Sequence, residues 1–559
     1  MANDEAASAL EEIGCCDHSV TREYRIYGPP GSGKTTKIAR QVSLAVNKYG
    51  ADQVLITSFS RSAAAELADR EMPVAAHRIG TLHSCCWNAL GRPLIAEAHV
   101  DVWNRKNVGL PLTPVRSQNK LDGDVEPDDD QENTGRGDIL IQRMNRCRGT
   151  LLNRDHWPSD VRDFAARWEG YKRSEGLLDF TDLIDVALQD FGAAPGSPAV
   201  IVADEGQDLN PMQLALVRKW GGRADYLLIA GDDDQTIYWF AGATPEAMLQ
   251  PDLPEDHCIF LRESHRLPVK VQEFAEQLIH QVSRRQEKTY RPRHEQGAVH
   301  RLAYGYKSPD YAILKSAEDH VRQGRTVMFL ASCSYMLRPL IQVLRKNAIP
   351  FHNPYRRSNG FWNPIRTGSR YSAAGRARAL VAAPVGQGLP WTRGDVALWA
   401  EWLRPGVLKK HAAELLRDPD KRVRATPEWL SAIFEGKALA DLNQALANGP
   451  AALLEWWRNR VRPEDRRRIQ FPADVAERRG PTALIDTPSV IVGTIHSVKG
   501  GEADVVYLFP DLSRAGGANY QIAGAPRDSI IRLFYVGATR AREALYLCGR
   551  ETGQAIAFK

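Results

Sequence analysis

The chain has 559 residues, 43% of them hydrophobic and 25% charged, and a formal net charge of only +5. That composition belongs to a globular protein of several domains, and it excludes a uniformly basic nucleic-acid coat, so any nucleic-acid surface must be a local patch. No apolar run reaches the roughly 18 residues of a membrane span, and the acidic start with Asp4, Glu5, Glu11 and Glu12 is unlike a signal peptide, so a cytoplasmic protein with no membrane partner is expected. The eight cysteines include the adjacent pairs Cys15-Cys16 and Cys85-Cys86 but no C-x-x-C, which argues against zinc or a disulfide framework.

Taken in order, a short apolar strand from Tyr24 to Tyr27 leads into Gly28-Pro29-Pro30-Gly31-Ser32-Gly33-Lys34-Thr35, and a helix is predicted from Thr35 to about Asn47. Strand, glycine-rich turn, Lys-Thr and helix in that order make a phosphate-binding loop. Its glycines let backbone N–H groups approach phosphate oxygens, and the helix start adds partial positive charge. Lys34 is then expected on the β- and γ-phosphates, and Thr35 on Mg²⁺. A buried strand, Val54 to Phe59, and a helix, Arg61 to Arg70, follow. Next come Gly80-Thr81-Leu82-His83-Ser84 and a polar, acidic stretch over 117–138 that cannot bury a core and reads as a mobile surface insertion.

Pattern returns over Tyr171–Leu183. An apolar strand, Ala199 to Ala203, delivers Asp204-Glu205; another, Tyr226 to Ala230, delivers Gly231-Asp232-Asp233-Asp234-Gln235. A third, Cys258 to Leu261, leads to Ser264-His265-Arg266. Strands separated by helices predict a parallel doubly wound sheet, whose ligands sit at the carboxyl ends of the strands. Asp204 there would hold Mg²⁺ and Glu205 would polarise the attacking water; helix capping is the alternative reading of such a strand end. A second α/β set begins at Val327–Leu330, with a helix to about Asn347, and resumes with Val490–Gly493 and Val505–Leu508. A helix, Ser529 to Ala541, and a strand, Ala544 to Leu547, complete it. Between about 360 and 485 the chain reads as helical and rich in tryptophan and arginine.

These stretches resemble, in order and spacing, the motifs of superfamily 1 helicases of the UvrD/Rep type. The resemblance covers Gly28–Thr35, Thr57–Leu67, Gly80–Ser84, Tyr171–Leu183, Val202–Gln213, Gly231–Ala243, Ser264–Arg266, Val492–Leu508 and Arg532–Leu547. It implies an α/β fold of two RecA-like, parallel-sheet, P-loop domains, each with a mainly helical insertion. The first domain is expected over 1–90 and 180–263 with an insertion at 91–179, the second over 264–358 and 486–559 with a reduced insertion at 359–485. The resemblance also implies ATP in the interdomain cleft, Mg²⁺, single-stranded DNA and single/double-strand junctions as partners, contacts with replication or repair proteins, and 3′→5′ translocation with unwinding. A translocase that needs a partner to unwind stays open. So does a nucleotide-gated DNA-binding protein, although such a binder needs no complete hydrolytic set.

Carried onto this chain, the resemblance gives Lys34, Asp204 and Glu205 their catalytic roles and makes Gln235 the γ-phosphate sensor. Arg266 and Arg540 become the arginines that reach the γ-phosphate, and Glu502 the contact to the sugar. Gly28 to Thr35, with Thr36 and His265, line the nucleotide, and Thr35 and Asp204 hold the metal. Phe59 and Phe240 are expected to stack on bases, Tyr238 and Trp239 to stack or to serve as core; Thr81, His83, Thr494 and His496 resemble backbone-contacting positions.

The chain departs from the pattern where the base is read. No glutamine precedes Gln41, Thr36 and His265 stand where the family commonly places an arginine and a tyrosine, and Ala241 stands where it often has arginine. A thinner base grip predicts weak discrimination between ATP and other triphosphates; a replacement contact elsewhere in the chain is the alternative reading. In the second insertion, Trp391, Trp399, Trp402, Trp429, Trp456 and Trp457 read as core, and Arg466, Arg467 and Arg468 as phosphate contacts.

Overall fold

The computed structural model describes residues 22–59, 72–114, 135–309, 311–356, 361–365, 369–381, 389–417 and 420–558. The helix expected at 61–70 and most of the acidic stretch at 117–138 lie outside them. Two six-stranded sheets, every neighbouring pair parallel, organise the molecule. The first contains β1 (Glu23–Tyr27), β2 (Val54–Ser58), β3 (Ile79–Thr81), β4 (Val200–Asp204), β5 (Tyr226–Gly231) and β6 (Cys258–Phe260). The second contains β7 (Ala298–Arg301), β8 (Val327–Ala331), β9 (Phe351–His352), β10 (Val490–Thr494), β11 (Ala503–Leu508) and β12 (Ala541–Leu547). Their orders are β3-β2-β4-β5-β1-β6 and β7-β12-β11-β8-β10-β9.

Strands β2, β4 and β8 are buried at every position and open on apolar runs, Val54–Ile56, Val200–Ala203 and Val327–Ala331. That is the pattern of strands covered by helices on both faces. The helix after the phosphate loop runs Lys34–Tyr49, a turn's fraction longer than predicted. The helix expected at Ser529–Ala541 runs instead Ala525–Ala538, with Pro526 in its first turn. Proline's fixed φ and missing N–H suit that position, and the chain has already turned into β12 by Ala541.

The helical insertions differ in how they are held. The first packs Trp103, Phe164, Trp168 and Tyr171 into a core of its own, with Trp103 and Trp168 edge to face at 5.2 Å. Beside it lies a buried ionic knot: Asp179, fully buried, accepts from Lys172 Nζ at 2.6 Å and from Arg148 Nη1 at 3.0 Å. In the second insertion Trp391, Trp399, Trp402, Trp429, Trp456 and Trp457 are all buried, in one apolar core continuous with β8, β10 and β11. Of the arginines after them, Arg466, Arg467 and Arg468 are exposed, and four of the six from 458 to 468 pair with acids. Arg458 pairs with Asp474 and Glu477, Arg460 with Asp441, and Arg462 and Arg468 with Asp465.

Candidate nucleotide and nucleic-acid site

The carboxyl ends of β1, β4 and β5 meet beside the second sheet's helix Ala525–Ala538 and the turn before β11. At the end of β1, Gly31 has φ +73° and lies so close to the following domain that a Cβ there would fall 2.3 Å from Cβ of Arg266. Only glycine tolerates both the left-handed φ and the approach. Two bonds fix the contact: His265 N donates to Gly31 O at 2.8 Å, and Ser264 Oγ to Pro30 O at 2.7 Å. Lys34 Nζ donates to Gly28 O at 2.8 Å, and Ser32 N to Pro29 O at 3.1 Å. Thr35 is half-buried, while Thr36 and His265 are exposed at the mouth.

At the end of β4, Asp204 is buried and its Oδ1 accepts from Glu205 N at 2.9 Å. Glu205 sits at φ +53°, an uncommon conformation for a residue with a side chain. Gln207 donates to Glu205 Oε2 at 2.7 Å and accepts from Asp232 N at 3.0 Å, tying the ends of β4 and β5 together. Burial pushes the Glu205 carboxyl up, but Lys499 and Lys34 outweigh it, aided by the Gln207 bond, and hold it down at about 2. At Asp208 burial wins over Lys499, and the carboxyl is pushed up to about 7. Neighbouring charge and desolvation thus set apart a pair of acids only three residues from each other.

The second half brings cations to these acids. Lys499 bonds the Asp208 carboxylate, lies 3.3 Å from Glu205 Oε2 and donates to Gln235 O at 3.1 Å. Gln235 is itself a bridge: its amide nitrogen donates to Asp232 Oδ2 at 2.8 Å, and its oxygen accepts from Arg540 Nη2 at 3.2 Å. Arg540 is 1% exposed and also donates to Gly501 O at 3.2 Å and Val536 O at 2.8 Å. Burial first, and then Arg266, lower its pKa to about 9, so it stays charged at neutral pH. Arg266 Nε donates to Glu502 Oε2 at 2.7 Å. Lys34, Asp204, Glu205, Gln235, Arg266, Arg540 and Glu502 therefore line one cleft.

A second group of predicted residues gathers on an aromatic row across the same boundary. Ring centroids run from Phe59 to Tyr238 at 4.9 Å, from Tyr238 to Phe240 at 5.9 Å, and from Phe240 to His496 at 5.5 Å. Gly80-Thr81-Leu82-His83-Ser84 and Gly493-Thr494-Ile495-His496-Ser497 repeat one device. In each, the threonine oxygen accepts from the serine N–H at 3.2 Å, and the serine Oγ donates back to the threonine carbonyl, at 2.8 and 2.9 Å. Their histidines diverge: His496 joins the aromatic row, while the ring contact of His83 is with Phe180 at 6.5 Å. Burial lowers both imidazoles to about 4, leaving them neutral at physiological pH.

Among the described residues, no group of three or more His, Cys, Asp or Glu could hold a metal ion by itself. Thr35 and Asp204 supply a hydroxyl and a carboxylate, the sparse oxygen set that suits Mg²⁺ shared with phosphates.

Two family models match the chain: the UvrD/REP helicase N-terminal domain over residues 15–253, and the UvrD-like helicase C-terminal domain over residues 489–548. The chain belongs to the UvrD/Rep helicase family. Among relatives, YjcD of Bacillus subtilis is 24% identical over 321 residues, 53% of this chain and 41% of that protein. UvrD2 of Mycobacterium tuberculosis is 27% identical over 282 residues, 44% and 40% of the two chains. PcrA of Staphylococcus aureus is 24% identical over 358 residues, 58% and 47%. The names of UvrD2 and PcrA describe ATP-dependent DNA helicases. The chain thus spans less than half the length of the curated relatives it matches.

Three residues of this UvrD/Rep-family cleft escape the sequence reading. Lys499 sits inside the Val492–Leu508 stretch, three residues before Glu502, and its charge next to a candidate sugar contact is a usable signal. Tyr355 follows β9 with its phenol oxygen directly over Gly501, where a Cβ would lie 2.1 Å from it, and it accepts from the Glu502 N–H. Lys288, from the loop before β7, is buried against three carboxylates of the first half. It lies 3.0 Å from Asp232 and 3.1 Å from Asp234, bonds Asp233, and is joined by Arg285 at 2.7 Å from Asp234. Nothing in its polar surroundings announces it.

Proposed function

We propose that the chain is an ATP- and Mg²⁺-dependent DNA helicase that moves 3′→5′ along single-stranded DNA. The observation that carries the reading is Arg540, a buried cation of the second half, bonded to Gln235 of the first in the cleft that also holds Lys34 and Glu205. A triphosphate on the loop would take the Lys34 ammonium from the Gly28 carbonyl. Glu205, ionised across the neutral range and oriented by Gln207, would polarise the attacking water. Arg540 and Arg266 would meet the charge that spreads over the γ-oxygens, a contribution worth about 10³–10⁵ in rate. Thr35 and Asp204 would hold Mg²⁺, which when bound neutralises charge on the β- and γ-phosphates. Because Gln235 bonds Arg540 and its neighbours Tyr238 and Phe240 stand in the aromatic row, hydrolysis and strand contacts share one short segment. That supports coupling of cleft closure to movement.

The strand would stack on Phe59, Tyr238 and Phe240, with Thr81, His83, Thr494 and His496 near its backbone. Thr36 and His265, both exposed, would form the loose base site, and Glu502 the sugar contact. The domain division is 1–90 with 180–263, and 264–358 with 486–559, the insertions at 91–179 and 359–485 being accessory. The protein would act in the cytoplasm, with DNA replication or repair partners.

Matched duplexes with a 3′ or a 5′ single-stranded tail, ATP and Mg²⁺ test the reading, with Lys34→Ala as control. Unwinding of the 3′-tailed duplex alone is expected; unwinding only from the 5′ tail overturns the polarity. One observation favours a translocase that needs a partner: Arg458, Arg460 and Arg462 pair with acids within the insertion that would face duplex, which leaves Arg466, Arg467 and Arg468 as the exposed cations of that run. DNA-stimulated hydrolysis with neither duplex opened would decide for it.

A further inference from the structure

The helix Arg136–Gly149 of the first insertion carries Arg143, Arg146 and Arg148 within two turns. Two of them are spoken for. Arg143 pairs with Asp160, and Arg148 with Asp179, Asp182 and Asp185. Arg146 has no carboxylate partner among the described residues, although it is half-buried, and burial lowers its pKa. Its guanidinium lies over the Trp239 ring, 4.2 Å from the centroid.

Trp239 lies between Tyr238 and Phe240 in sequence, its ring under Arg146, and the helix end is docked on this loop. Thr150 Oγ1 donates to Arg146 O at 2.9 Å, and a Cβ on Gly242 would meet Thr150 Cγ2 at 2.9 Å. An arginine stacked on an indole keeps its in-plane N–H groups free to reach a planar or tetrahedral anion, at little entropic cost because the ring has already ordered it. A partly desolvated cation with no acid beside it is costly to hold. The same cation next to a row of base-stacking rings has an evident counter-ion in the strand's phosphates.

We propose that Arg146 is a phosphate contact for the single strand, held in place by Trp239, so that the first insertion forms one wall of the strand's path. This rests on the reading that the aromatic row carries single-stranded DNA. It assigns Trp239 a role that is neither base stacking nor core: it is the platform for the cation.

The test is the salt dependence of binding to a labelled oligothymidylate, compared for the native chain, Arg146→Ala and Arg146→Lys, with thermal melts to establish that each is folded. Loss of one phosphate contact should flatten the slope of log affinity against log salt by about 0.7. Arg146→Ala should show that flattening and bind several-fold more weakly at low salt, and Arg146→Lys, which keeps the charge but not the planar stack, should restore most of the slope. An unchanged slope in Arg146→Ala would overturn the inference, and so would a lysine variant as flat as the alanine one, since the arginine is then a clip between helix and loop. Failure of the native chain to bind the oligonucleotide at all would instead bring down the parent reading, and this one with it.

Discussion

The two halves of the molecule carry the same five-residue device, Gly-Thr-x-His-Ser, with the same reciprocal threonine–serine bonds, on sheets of the same all-parallel kind. Yet they contribute opposite chemistry. The first half holds the phosphate loop and a concentration of carboxylates at 204, 205, 208 and 232 to 234. The second answers with Lys499, Arg266, Arg540, Arg285 and Lys288. Local backbone chemistry thus repeats because strand ends must be capped whatever they do, whereas function lies in the charge each half presents to the other. One half alone would have the binding loop without the cations that complete it.

Removing the deepest of those cations should break the partnership most severely. Arg540→Ala is expected to lower kcat for DNA-stimulated ATP hydrolysis by about 10³–10⁵, with a much smaller change in nucleotide binding measured by equilibrium titration. A loss below tenfold would mean that the halves do not share the chemistry. Lys288→Met strikes the same partnership away from the nucleotide. Three buried carboxylates lose their common cation, so the folded state should lose about 3–5 kcal/mol in denaturant melts; an unchanged midpoint would show that Arg285 suffices alone.

On the aromatic side the effect should be milder. Phe240→Ala should weaken oligonucleotide binding by about 1–3 kcal/mol, read by fluorescence anisotropy, while nucleotide affinity in the absence of DNA stays as it was. Equal losses of both affinities would collapse the distinction between the two sides of the cleft. The smallest effect concerns the first half's own insertion. Burial first, and then Asp179, push Glu97 up to about 8, and its Oε2 has no hydrogen-bond partner. A raised carboxyl adds stability at pH values below its unfolded value, near 4.5, and that contribution is lost as pH rises toward 8. Glu97→Gln should therefore gain melting temperature relative to the native chain progressively from pH 5 to 8. A constant difference would show that Glu97 is ionised throughout.

Much of this was legible in the sequence, for a physical reason. Parallel strands buried on both faces must be written as apolar runs, so most of the strands announce themselves, and their carboxyl ends point to Asp204, Gln235 and Arg266. The short β3, the two-residue β9 and the β7 edge carry no such run and went unread as strands. Candidate site residues next to a glycine-rich or acidic signature are legible for the same reason. Lys288 and Tyr355 are not, because what places them is contact across the fold, with Asp232 in one case and with Gly501 in the other. The arginine run from 458 to 468 reads as more uniformly positive in the sequence than in the fold, where Arg466 and Arg467 stay exposed and the other four pair with acids. A charge cluster in sequence says nothing of the acids the fold lays against it, and Asp441, Asp465 and Asp474 take up most of this one.

Arg540 has a consequence for how the protein should respond to its ligand. It is buried and charged, and its direct hydrogen-bond partners, Gln235, Gly501, Val536 and Thr539, are all neutral. Those dipoles, helped by the nearby Glu205 carboxylate, carry the cost of keeping that charge out of water. An anion placed beside it turns a desolvation penalty into attraction, without the protein having to reorganise. Some of the free energy of folding is thereby held as an electric field aimed at one point, and in the proposed function a nucleotide phosphate arriving there would act as a structural member of the fold as much as a substrate.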